Sequence, residues 1–267
     1  MFNLNKLAAL FVVFLSACTA LEAAPRTEIS TDKPSPSLEK IAEGVWVHKS
    51  YKMIEPWGLV LSQGLVIERN GIVVLVDTAW NDSDTEHLLN LVKETIGISP
   101  ALAVVTHAHA DKVGGIRALH QVGIKTFGHE FTIADAPARG LFPPGNKLFS
   151  NDNFETMTHR QNIGAGALMS FDLVDVFYPG AGHTRDNIVV YHRESKTLFG
   201  GCLIRPGTSK NLGNTADGDI GYWAKAVRQV AERFPDAEII VPSHGASGGR
   251  ELLTHTIELA ESAAAKQ

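Results

Sequence analysis

Three side chains able to hold a metal ion lie close together at His107, His109 and Asp111. They follow Ala101-Leu-Ala-Val-Val105, an apolar run that reads as a buried strand. Two histidines two residues apart on extended backbone point to one side. Asp111 can reach the same pocket or a neighbouring one. Imidazole and carboxylate are both good zinc ligands. Further ligand types recur in similar settings. His183 sits in the Gly-rich segment Pro179-Gly-Ala-Gly-His183, between strand-like runs. Cys202 ends Leu198-Phe-Gly-Gly-Cys202, and His244 ends Val241-Pro-Ser-His244. A single histidine is ordinarily structural, and a single cysteine is ordinarily a buried thiol. Six ligand types at the ends of separate strands are harder to dismiss. They suit two zinc ions (Zn2+) of three protein ligands each. Each ion then keeps a position for water or substrate, as a catalytic zinc must.

The elements that would carry these residues alternate along the chain. Strands are expected at 44–48, 58–61, 64–68 and 72–76, with Asn70-Gly71 as a hairpin turn. Apolar residues at helical spacing predict a helix over 83–96, and a second over 112–122. A strand follows at 125–128. Residues 136–166 are rich in Pro and Gly and predict a long irregular connection with a short helix near its start. Strands near 167–178, 188–192, 197–201 and 237–242 follow, with helices over 219–233 and 249–265. Strands and helices are mixed in both halves. The fold class is therefore α/β, layered, with helices outside two sheets.

The 267 residues suit one large domain, and no staple is needed to stabilise a core of that size. Hydrophobic residues make up 44% and charged residues 20%, as in ordinary globular proteins. The net charge of -5, without a long basic run, argues against a nucleic-acid partner. At the N-terminus, Lys6 precedes a short apolar run and small residues, the pattern of an export signal over 1–17. Leu15-Ser16-Ala17-Cys18 has the form of a bacterial lipobox, in which Cys18 would be lipidated and attach the chain to the outer membrane. Ordinary cleavage near 20–24 is the alternative. Residues 18–40 read as a flexible leader and 41–267 as the catalytic domain. Only two cysteines exist, so an exported chain would keep Cys202 unpaired, and metal ligation would explain that.

The set His107-Ala-His109-Ala-Asp111, His183, Cys202 and His244 resembles that of the metallo-β-lactamases, in particular the subclass with a cysteine in its second zinc site. Asp77-Thr-Ala-Trp80, Phe177-Tyr-Pro-Gly180 and Gly213-Asn214 extend the similarity over nearly all of the chain from Ile41. The His-x-His-x-Asp element alone marks a wider superfamily. Lys112 after Asp111, and Cys202 later, narrow it. The resemblance implies a single-domain, four-layer αββα sandwich. It implies that His107, His109 and His183 hold a first zinc, and Asp111, Cys202 and His244 a second. The implied reaction is hydrolysis of the β-lactam amide of antibiotics in the periplasm, conferring resistance. Hydroxide would attack the carbonyl, Asp111 would orient it, and the second zinc would stabilise the leaving nitrogen.

Substrate-binding roles are expected on the same basis. Arg205 stands where the family often has Lys, and would grip the substrate carboxylate; Lys210 is a second candidate. Asn214 would help bind the lactam carbonyl. Met53 and Trp57 belong to a segment matching the family's mobile loop over the site. Asp77, Lys112 and Trp80 are expected to support the ligands from behind. A monomer is expected. Two other readings stay open: a superfamily hydrolase of a lactone, ester or thioester, and a zinc-binding protein without turnover.

Overall fold

The computed structural model describes residues 33–149, 159–161, 165–171 and 173–267. The expected signal segment, the lipobox and the leader as far as residue 32 lie outside them. The end of that leader is ordered: Ser37–Ala42 forms β1 and pairs antiparallel with β2, Val45–Ile54.

The chain then builds a first sheet. β3 (Gly58–Arg69) and β4 (Ile72–Val76) continue it antiparallel, while β5 (Leu102–Val104), β6 (Lys125–Gly128) and β7 (Asn146–Lys147) add to it in parallel. The two short strands expected at 58–61 and 64–68 are one strand, paired with β2 along its whole length. Residues 58–61 run past the buried core, so their burial gives no clean alternation. Asn70 (φ 52°) and Gly71 (φ 79°) form the tight turn between β3 and β4. Positive φ at both positions matches the right-handed twist of the flanking strands.

Helix α1, Asp82–Ile96, starts where Asn81 accepts a bond from Asp84 N–H. It ends at Gly97 (φ 84°), whose N–H returns to Lys93. Its buried Leu88 and Val92 pack on Val66, Val73 and Leu75 of the first sheet. Burying each such side chain stabilises the fold by about 1.5–3 kcal/mol. The helix expected over 112–122 is two, α2 (Ala110–Val113) and α3 (Ile116–Gln121). Gly114 and Gly115 separate them and pass close to other chain segments. A Cβ on Gly115 would lie 1.8 Å from Thr85 Oγ1, and one on Gly114 2.2 Å from Trp80 O. The next helix, α4 (Glu130–Ala138), begins before the expected connection and stops just past Pro137.

The second sheet runs in the order β13-β12-β11-β10-β9-β8. Its strands are β8 (His159–Gln161), β9 (Ala167–Ser170), β10 (Val174–Tyr178), β11 (Val189–His192), β12 (Thr197–Gly201) and β13 (Ile239–Pro242). All pairs are antiparallel except β12–β13. Helices α5 (Ile220–Arg233) and α6 (Glu251–Ala264) cover its outer face, with Trp223, Val227 and Leu252 buried against it. Between the sheets, Leu65, Ile67, Val74 and Val104 meet Val176, Val190, Phe199 and Val241. The result is the expected helix–sheet–sheet–helix sandwich in one domain.

The close pass at Gly115 makes a prediction. Gly115→Ala must push Thr85, which is buried and accepts a bond from Ala79 N–H. It should lower unfolding free energy by about 1–3 kcal/mol, the usual range for overpacking, read from the urea midpoint at saturating zinc.

Candidate metal centre

All six expected ligands lie at one end of the two sheets. His107, His109 and Asp111 follow β5; His183 lies between β10 and β11; Cys202 follows β12; His244 follows β13. Gly201 turns the chain at φ 58° just before Cys202, a conformation that favours glycine.

The ligand atoms fall into two adjacent groups. His109 Nδ1 is 3.1 Å from His107 Nε2 and 3.2 Å from His183 Nε2, with the three rings mutually edge-on. Cys202 Sγ is 3.3 Å from His244 Nε2 and 3.8 Å from Asp111 Oδ2, which lies 3.6 Å from His244 Nε2. Zinc bond lengths put neighbouring ligand atoms of a tetrahedral site about 3.3–3.6 Å apart. Both groups fit that spacing to a few tenths of an ångström. His107, His183 and Cys202 also have ligand atoms within 4.8 Å of one another, so the two groups share a boundary.

The far nitrogens decide which ring atom faces the centre. His244 Nδ1–H donates to Leu61 O at 2.6 Å, leaving Nε2 as the ligand. His109 Nε2–H donates to Asp217 Oδ2 at 2.9 Å, leaving Nδ1. His107 Nδ1 is 3.2 Å from Thr106 Oγ1, whose hydroxyl donates to Asp77 Oδ2 at 2.9 Å. Such partners fix tautomer and ring orientation in metal sites. Burial, reinforced by the neighbouring histidines, holds the His107 pKa well below its ordinary value, so the ring is neutral and free to ligate. Burial also lowers the pKa of His244.

Beneath the second group sits a buried cation. Lys112 has no solvent exposure and lies 3.0 Å from Asp111 Oδ2 and 3.6 Å from Asp77 Oδ2. Its ammonium also donates to Ser62 Oγ and Gln63 O. Burial disfavours the Asp111 carboxylate, but Lys112 and the surrounding histidines outweigh it and hold its pKa far below the usual range. Burial pushes Asp77 up to about 7, against the pull of Lys112 and Thr106. Lys112 thus contacts the ligand residue Asp111 directly, and Asp77 reaches His107 through Thr106.

His109, Asp111, His183, Cys202 and His244 line a cleft of about 560 Å3, a size suited to a small molecule. Trp57, Arg205 and Asn214, the residues expected to bind substrate, are in its lining, and so is Trp80, expected to pack behind the ligands. Met53 and Lys210 are not. Met53 is 56% exposed, and its neighbour Ile54 faces the cleft instead, because side chains alternate along β2. Lys210 is exposed and outside the lining. Several supporting residues carry no sequence signal. Asp217 accepts from both His109 and Arg139, which pull its pKa down to about 2. Gln63 Nε2 donates to Pro242 O and Gly245 O and ties β3 to the His244 loop. These partners are distant in sequence, so no local spacing reveals them.

A four-layer sandwich with six zinc-type ligands at one end defines a metallohydrolase-like centre. Residues 57–244 match the family described as the metallo-β-lactamase superfamily. The metallo-β-lactamase type 2 of Pseudomonas aeruginosa is 34% identical over 257 residues, covering 96% of this chain and 94% of that protein. The crystal structure of the metallo-β-lactamase FIM-1 from Pseudomonas aeruginosa, in its mono-zinc form, aligns with a TM-score of 0.77 at 43% identity. It covers 86% of this chain and 97% of that one. The metallo-β-lactamase from Hirschia baltica also gives a TM-score of 0.77, at 41% identity over 85% of this chain and 98% of that one. The chain belongs to the metallo-β-lactamase superfamily.

Lys112→Met should destabilise the metal-free protein by about 3–5 kcal/mol, since two buried carboxylates lose their counter-charge. The loss should be smaller at saturating zinc, where the ion takes over part of that role. Paired urea titrations with and without zinc measure both values.

Proposed function

We propose that this chain is a zinc-dependent β-lactamase that opens the strained amide of penicillins, cephalosporins and carbapenems. The observation that carries this reading is the pair of adjacent ligand groups at the base of the cleft, His107, His109 and His183 beside Asp111, Cys202 and His244. Each has three ligands, and three ligands per ion leave room for water or substrate. The proposed complement is two zinc ions, one on His107, His109 and His183 and one on Asp111, Cys202 and His244. This is the subclass with a cysteine in the second site. Relatives that carry the β-lactamase name at 33–34% identity over more than nine-tenths of the chain support the reading.

Zinc, when bound, polarises a carbonyl and brings the pKa of water towards about 7. The chain's own residues do the rest. Arg205 is half-buried in the cleft wall and its Nε has no protein partner. Its planar guanidinium offers paired donors to the carboxylate that β-lactams carry beside the ring nitrogen. Asn214 Oδ1 accepts from Ala216 N–H, which leaves the amide nitrogen as donor to an incoming carbonyl. Asp111 stays ionised against Lys112 and Ser62, so it can orient an attacking water without first losing a proton. Ile54, Trp57, Val60 and Leu141 give the cleft an apolar wall that excludes water from a substrate side chain. The charged and apolar N-terminal segment supports a periplasmic site of action, with Cys18 as an anchor.

Purified protein with zinc should hydrolyse a penicillin, a cephalosporin and a carbapenem, and a chelator should abolish turnover. Turnover of a lactone or thioester with none of the three β-lactams would replace this reading with the wider superfamily one. Arg205→Ala should raise KM about 10–100-fold, the effect of one charge-assisted hydrogen bond, with a smaller change in kcat. An unchanged KM would remove Arg205 from the substrate contacts.

A further inference from the structure

Asp186 takes no part in the two ligand groups, yet it is only 1% exposed. One of its carboxylate oxygens, Oδ2, accepts two bonds. One comes from Ala108 N–H at 2.8 Å and the other from the Thr132 hydroxyl at 2.8 Å. Ala108 is the residue between His107 and His109. Asp186 itself lies three residues beyond His183. A single oxygen therefore ties the loop bearing two histidines of the first group to the loop bearing the third. Through Thr132 it also fastens both to α4.

The His183 side of this tie is stiff. Asn187 Oδ1 accepts from Thr184 N–H at 2.9 Å, and its amide donates to Gly180 O at 2.9 Å. Ile188 N–H donates to Thr106 O at 3.0 Å, so the two loops are joined again one residue before His107. Between these points, the peptide that links His107 to His109 is held from the side by Asp186. Moving that peptide moves both rings, because each ring hangs from one end of the same short extended segment. The second group has its own supports, Lys112, Ser62 and Leu61, none of which is bonded to Asp186.

We infer that Asp186 is a positioning residue for the first zinc site, setting the distance between His183 and the His107–His109 pair. The inference rests on those three histidines holding one ion. Both donors to Asp186 are neutral and need only an acceptor, so an amide oxygen can serve. Towards these two donors, Asp186 supplies the position of an oxygen rather than a charge.

The test is zinc binding to the full mature protein without substrate, by competition with a chromophoric chelator. Cobalt(II) substitution adds a second readout, in which a thiolate charge-transfer band reports the Cys202 site separately. Asp186→Ala should weaken the first site about 10–100-fold, the usual effect of losing such a partner. The thiolate band and second-site affinity should stay within about threefold, by the same scale of partner effects. Asp186→Asn should restore first-site affinity to near wild type. Equal weakening of both sites, or unchanged first-site affinity in a folded Asp186→Ala protein, would overturn the inference. So would an Asn variant as weak as Ala. If the Ala variant does not fold, Thr132→Val carries the test, with a smaller selective loss expected and no selective loss refuting it. None of these outcomes depends on β-lactam turnover, so failure here is separate from failure of the proposed reaction.

Discussion

A lysine ammonium with no exposure to water lies between two carboxylates beneath the ligand cluster. Removing one such charge from water costs several kcal/mol, and only close, well-bonded partners offset it. Lys112 meets that demand with Asp77, Asp111, Ser62 and the Gln63 carbonyl. These partners come from three stretches of chain, Ser62 and Gln63 from β3, Asp77 from the end of β4 and Asp111 from the ligand segment, so the ammonium fixes all three together. Asp77 is held at φ 62°, an unusual backbone for a residue with a side chain, and uses both oxygens on Thr106. The orientation of His107 follows from that bond. The charge under the site therefore positions ligands that it never touches.

Two sheets packed face to face leave loops at one end that must be fastened to one another. The fastenings are polar, and those of Gln63 and Asp186 are buried. Gln63 grips the His244 loop, Asp186 grips the His107–His109 segment, and Asp217 reaches His109 from the loop before α5. The apolar layers between and outside the sheets hold the strands. The polar ties hold the loops to the strands. This division explains how a cleft can be open to substrate while its floor stays rigid: the floor residues are bonded downwards, into the sandwich.

The cleft itself joins unlike walls. Trp57 and Ile54 on the β2–β3 hairpin share the cleft lining with Arg205 and Asn214, which come from beyond β12. An amphipathic small molecule with an anionic end and an apolar end matches that division. Trp57 is 68% exposed, so its apolar surface gains most when something covers it.

The sequence by itself determined whatever depends on neighbours along the chain. Ligand types at strand ends, the Asn70-Gly71 turn, the amphipathic helix α1 and the layering of helices outside two sheets were all legible, because periodicity and turn chemistry act over a few residues. The family resemblance extended this to the division into two ligand groups. Tertiary structure alone decided the rest. It showed which nitrogen of each histidine faces the centre, since the deciding partners Leu61, Thr106 and Asp217 come from elsewhere in the fold. It split the helix expected over 112–122, because the crowding at Gly114 and Gly115 comes from Trp80 and Thr85. It put Ile54 in the cleft and left Met53 out of it, because the register of β2 fixes which face meets the cleft. The six ligand-type residues named from the sequence lie together at one end of the sheets, while the bonds that aim them come from residues brought near only by folding.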